Sequence, residues 1–134
     1  GKGERYDELQ AFLKAYNIKN FKNYGFLDTQ NLKNLIKTCD IGVVPMISTS
    51  IPNKVFDYIA NDLPIYVLGE NDSSDFVKEY SIGWNSKFKS ESIKKFLNAI
   101  NHEEIQQKRL NLLKTKNKFN RKSLHRKILN LIES

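Results

Sequence analysis

One cysteine, Cys39, and two histidines, His102 and His125, are all the chain has of thiol and imidazole metal ligands. A single cysteine excludes an internal disulfide framework and a Cys-based zinc site, and it fits a reducing compartment. Two histidines far apart in sequence exclude a His-rich metal site. No apolar run approaches the roughly 18 residues that a membrane-spanning helix needs. No charged-then-apolar leader opens the sequence, so no signal peptide is expected. Internal repeats and low-complexity segments are also missing. What remains is a chain of 134 residues, 40% of them hydrophobic, which suits one globular domain and is too apolar for a disordered segment.

The net charge of +7 is unevenly spread. Between Ile105 and Ile132 every charged side chain is basic, from Lys108 and Arg109 through Lys116 to Arg126 and Lys127. The preceding part is close to neutral, so the basic character belongs to a tail. Aromatic residues are nearly absent among those cations, which speaks against nucleic-acid binding. Two readings of the tail stay open: a solvated outer face over packed Leu113, Leu124, Ile128, Leu131 and Ile132, or contact with anionic lipid head groups.

Periodicity divides the rest. Leu9, Phe12, Leu13 and Tyr16 fall at helical spacing. NIKNFKNYGFL reads as a short strand around Tyr24. Asp28 is a good N-cap for a helix carrying Leu32, Leu35 and Ile36 and ending near Cys39. DIGVVPM and LPIYVLG are short, β-branched and apolar, as buried strands are. A helix is expected from Pro52 to Asn61, a short one from Ser73 to Tyr80, a brief extended piece or turn at Gly83-Trp84, and a helix capped by Ser90. One or two basic helices follow, with a break near Asn120. Strands alternating with helices of about ten residues indicate βαβ units and a parallel sheet. The fold class expected is therefore α/β, a Rossmann-like parallel sheet flanked by helices, with residues 1–101 as the domain and 102–134 as a helical tail packing on it.

The informative stretch is VVPMISTSIPNKVFDYIANDLPIYVLG. Pro52 disfavours the α conformation at Ile51, making Ile51 the expected N-cap and Pro52 the first helical residue. Isoleucine offers no acceptor, so the amides of Asn53, Lys54 and Val55 would lack a cap. Lys54 also puts a cation in the first turn, against the helix dipole. An anion such as phosphate on this helix entrance resolves both oddities. On the polar face, Asp57 lies one turn below Asn53, roughly 6 Å along the axis, where a carboxylate can accept hydrogen bonds from ribose hydroxyls. The loop from Met46 to Ile51 falls at a strand's carboxyl end, where open α/β sheets collect ligands. The competing reading is a plain loop at Ser48, Thr49 and Ser50, a solvated Lys54, and an Asp57 paired with Lys54 or Tyr58.

The order of strand-Pro, small polar loop, Pro-x-Lys-x-Phe-acidic-Tyr-x-Ala and then x-x-Pro-Ile resembles the donor half of GT-B glycosyltransferases, in particular family four of the retaining enzymes. The signature lies in IPNKVFDYIANDLPI, with NYGFL and LKNLIKTCDIGVVP upstream in the expected order, and the likeness runs from about Gly1 to Ile100. It implies the C-terminal half of a GT-B fold and transfer of a sugar from a nucleotide-sugar donor to a glycan or lipid-linked acceptor, as in surface polysaccharide synthesis, with no metal and no cofactor. Ser50, Ile51, Asn53 and Lys54 would receive the donor diphosphate. Asp57 matches the second acid of the family's Glu-x7-Glu motif and would hold the ribose, while Phe26 and Leu27 sit where backbone groups read the base. The first acidic position falls on Thr49, so any contact to the donor sugar differs there. Asp57 is also one methylene shorter than the family's Glu.

The resemblance further implies that an N-terminal acceptor domain and the opening strand of the donor domain belong to a longer chain, which fits a sequence starting at Gly1. Catalysis needs both halves, so the piece alone is expected to be inactive. The implied location is the cytoplasm, with the basic tail as a contact to the inner membrane face. Elsewhere, Trp84 is expected to plug a core or interface, Glu70 and Asp72 to form an acidic turn with Asn71, and Cys39 to be a buried thiol at a helix end.

Overall fold

The computed structural model describes residues 5–45, 51–118 and 126. The chain divides into two compact units, 1–34 and 35–134, each taken by itself below.

In the first unit, α1 spans Tyr6–Ala15 and buries none of its residues. Phe12 and Tyr16 meet one turn apart, with ring centroids 4.7 Å apart. The strand expected around Tyr24 does not form: residues 18–28 are irregular. A strand exists only by exchanging hydrogen bonds with a neighbour. Here Gly25 instead adopts a left-handed φ of 67° and donates its amide to the Asn23 side chain at 2.8 Å. That is a turn held by asparagine, which the apolar residues on either side hide in the sequence. Helix α2, Thr29–Ile36, begins as expected, with the Asp28 carboxylate accepting the Asn31 amide at 2.8 Å.

The second unit holds the sheet. Strands β1 (Gly42–Pro45), β2 (Ile65–Leu68) and β3 (Gly83–Ser86) pair in parallel in the order β1-β2-β3. Val43 is level with Tyr66, and Tyr66 with Trp84. The third strand is thus Gly83–Ser86, whose sequence GWNS has little β-propensity of its own and takes its conformation from pairing. Helix α3 (Asn53–Ala60) links β1 to β2, and α4 (Asp72–Tyr80) links β2 to β3. Helices α5 (Ser90–Ala99) and α6 (His102–Lys118) follow. The α/β, Rossmann-like class expected from the alternation is the class observed.

Side chains alternate across the sheet. On one face Val44, Ile65 and Val67 form the core with Val55 and Ile59 of α3, Phe76 and Val77 of α4, Ile82 and Leu112 of α6. On the other, the Tyr66 ring stacks on Phe96 of α5 at 3.8 Å, and Trp84 tilts against Phe96 at 5.5 Å. Trp84 is a packing residue, as expected. The expectation for α6 needs correction: Leu113 is 44% exposed, whereas Leu112 and Thr115 are buried. Leu124, Ile128, Leu131, Ile132 and the break near Asn120 lie outside the described residues.

Two glycines are required by close approach. A Cβ on Gly83 would sit 1.8 Å from the carbonyl oxygen of Ile65, and one on Gly42 would sit 2.6–2.8 Å from the Tyr58 ring. Backbone cannot yield without breaking the ladder, whereas a ring can tilt. Gly83→Ala is therefore expected to cost more stability than Gly42→Ala, the latter falling at roughly 1–3 kcal/mol for an overpacked contact. Urea unfolding of the two variants measures the order.

Candidate functional site

The helix α3 starts where the sheet's carboxyl edge is. Its N-cap is Pro52, in extended conformation with ψ 157°, and its first helical residue is Asn53. This is one residue later than the sequence predicts. Pro52 has the fixed φ of a helix start, but Ile51 is drawn into the core at 5% exposure, and the chain turns only after the proline. Ile51 at N′ lies in the core and Phe56 at N4, partly buried, packs against it, the positions of a hydrophobic staple. The Ile51 side chain is thus packed into the core.

Pro52 supplies neither a side-chain cap nor an N–H. The Val55 amide donates to the Pro52 carbonyl at 3.1 Å, so one of the three donors expected free is satisfied within the turn. The amides of Asn53 and Lys54 have no acceptor among the described residues. Both side chains are exposed, and no carboxylate pairs with Lys54 among the described residues. Two backbone donors and an ammonium therefore share one helix end, with no acid paired to it among the described residues.

Asp57 is exposed, one turn further along the same helix. Its backbone carbonyl accepts the Asn61 side chain at 2.8 Å, while its carboxylate pairs with neither Lys54 nor Tyr58. Tyr58 turns the other way. Its ring covers Gly42, and its hydroxyl donates to the Val43 carbonyl at 3.3 Å. The Gly42 amide donates to Pro64 next to β2, so alternation points the polar groups of Val43 and Pro45 at the edge of β1 away from β2. Pro45 has no donor and Val43 shares its carbonyl with Tyr58, which blunts that edge against strand addition. Sequence reasoning missed this role of Tyr58; the signal was a glycine opening a buried strand.

The other candidate residues are placed elsewhere or not described. Thr49 and Ser50 lie outside the described residues. Phe26, 92% exposed, and Leu27, partly buried, belong to the first unit and to irregular chain, so the strand end on which they were expected is not formed. Asn71 caps α4 rather than making an acidic turn: its side chain accepts the Ser74 amide at 3.1 Å, and the Ser74 hydroxyl accepts the Asn71 amide at 2.8 Å. Asp72 falls in the first turn of α4 and Glu70 is exposed. Cys39 is only partly buried, its thiol 3.4 Å from the Leu35 carbonyl. Among the described residues no cluster of His, Cys, Asp and Glu has the makings of a metal site. No described helix is long and apolar enough to cross a membrane.

Models of protein families, curated proteins and solved structures were each compared with the chain, and none matches.

Burial is the main cause that raises the Tyr58 phenol above its ordinary value, with Cys39 and Asp57 adding to it. Folding thus favours the neutral phenol. Stability from this group is complete below the unfolded value of about 10 and is lost as pH climbs through the higher folded value. Tyr58→Phe is expected to flatten the alkaline loss that sets in above about pH 10. At neutral pH it should remove roughly 0.5–1 kcal/mol with the hydroxyl. Denaturant titrations from neutral pH to above about pH 10 test both.

Proposed function

We propose that this chain is the donor-nucleotide-binding part of a glycosyltransferase, resembling the C-terminal half of a GT-B enzyme of retaining family four. The carrying observation is the conjunction at α3: two backbone amides and a Lys54 ammonium with no partner among the described residues, and an exposed Asp57 one turn on, all at the carboxyl edge of a parallel sheet. A diphosphate at this end would take the Asn53 and Lys54 amides and the Lys54 ammonium. Ribose hydroxyls would donate to Asp57. In the whole enzyme those fixed donors stabilise charge growing on the departing diphosphate as the sugar moves to its acceptor, with no metal called for. The acceptor would be held by an N-terminal domain of a longer chain, and retention of configuration follows from the resemblance only.

The reading puts the protein in the cytoplasm, where nucleotide-sugars are made. It leaves less room for docking of the basic helix on an anionic membrane. Arg109 and Lys116 bond to protein carbonyls, and Lys108 lies 5.8 Å from the centre of the Trp84 ring.

Calorimetric titration with adenosine, guanosine and uridine diphosphates tests the proposal. One of them at a hundred times its dissociation constant should stabilise the fold by about 2.7 kcal/mol. Lys54→Met and Asp57→Ala should each weaken that diphosphate about tenfold, the loss of one charge-assisted bond at a solvent-facing site. Binding that ignores Asp57→Ala removes the ribose role. No response to any of the three sinks the reading and favours a non-catalytic protein-interaction domain of the same fold.

A further inference from the structure

Helix α6 reaches past the ends of two other helices, α3 and α4. Arg109 donates to the Cys39 carbonyl at 3.1 Å, and Asn111 donates to the Ser81 carbonyl at the end of α4 at 2.8 Å. Lys116 points at the end of α3, its Nζ 2.8 Å from the Asp62 carboxylate and 3.4 Å from the Ala60 carbonyl. Buried Leu112 and Thr115 seat the helix from which these side chains extend.

The end of α3 is an unusual place for such a contact to be idle. The Asp62 amide bonds to Ile59 and the Leu63 amide to Tyr58, the two closures of a Schellman motif. The left-handed residue of that motif is normally glycine, but here it is Asp62 at φ 57°. Lys116 therefore holds the left-handed residue of that motif, and holds a terminal carbonyl of the helix as well. Val55 and Ile59 press α3 onto the sheet, the Tyr58 hydroxyl ties its middle to the Val43 carbonyl of β1, and Lys116 is the polar contact at its far end. Polar contacts set its register. An eight-residue helix is about 12 Å long, short enough for a shift at one end to be felt at the other.

We propose that Lys116 is a positioning residue for the entrance of α3: by fixing Asp62 and Ala60 it sets the axial placement of α3 and hence the aim of the Asn53 and Lys54 amides. The inference rests on the diphosphate reading of that entrance for its functional meaning.

The experiment uses Lys116→Met, Lys116→Arg and Asp62→Asn, the last chosen because asparagine tolerates the left-handed conformation while losing the charge. Two measurements are made on each: amide nitrogen and proton shifts of Asn53 and Lys54 in the protein without ligand, and the affinity for inorganic pyrophosphate followed by phosphorus resonance. Lys116→Met and Asp62→Asn are expected to move the Asn53 and Lys54 signals and to weaken pyrophosphate about threefold to tenfold. The double variant should be no worse than either single one, and Lys116→Arg should restore most of both readouts. A contact that only adds stability would lower the melting temperature and leave the shifts and the affinity of the folded protein alone, which overturns the proposal. If Lys116→Met falls short of folding, Asp62→Asn decides by the same two readouts. Shifts that move in a protein that binds no pyrophosphate count against the diphosphate reading and leave Lys116 as a mechanical brace only, so the two failures are told apart.

Discussion

The pairing of β2 on both sides is the constraint from which the rest of the second unit follows. Ile65, Tyr66, Val67 and Leu68 are all buried, so this strand must be covered on both faces and flanked on both edges. β1 and β3 satisfy the edges in parallel register. A parallel neighbour cannot be reached by a hairpin, and each connection has to cross back as a helix. Both crossover helices then start at the carboxyl edge. A helix N-terminus with its positive dipole end at that edge is thus a consequence of the sheet, and whether it is capped or charged is left to the side chains around it.

The two crossover helices use that position differently. α4 begins with a closed capping box in which Asn71 and Ser74 satisfy each other's amides. Its first turn carries Asp72 and Asp75, the charges a helix dipole favours. α3 begins with proline, has no acid in its first turn and carries Lys54 there. One start is finished by protein groups, and the other carries a cation and two amides that find no acceptor among the described residues. This contrast within one sheet, more than the bare presence of a helix N-terminus, is what supports an anion at α3.

Helix α6 shows how charge can mislead when read from sequence. A run of basic residues with a leucine stripe looks like a surface-binding face. In the described part of that run, Arg109 and Lys116 are used against protein carbonyls and a carboxylate, and Leu112 rather than Leu113 enters the core. Cations at helix C-termini are favourable partners for the negative dipole end, so a basic helix laid across such ends is held by the same physics that would hold it to an anionic surface. Composition cannot distinguish these two outcomes, because both want the same side chains.

Much of the architecture was legible. Val43 and Tyr66 centred two real strands because short β-branched apolar runs between turn residues have few other solutions. Asp28 capped its helix because the acceptor and the amide that it serves are three residues apart. The polar face of α3, with Asn53, Lys54, Asp57 and Asn61 together, was fixed by a period that does not depend on context. What the residues alone did not decide was partnership. Tyr24 lies in a turn and Trp84 in a strand, although the first has the more strand-like neighbours, because β-structure is conferred by the chain alongside. The proline-led helix start moved by one residue once Ile51 found the core, and Lys116 met Asp62 across fifty-four positions of sequence. Local spacing is set by covalent geometry and travels with the sequence; pairing and long-range contact are set by what else is nearby, and only the folded chain supplies that.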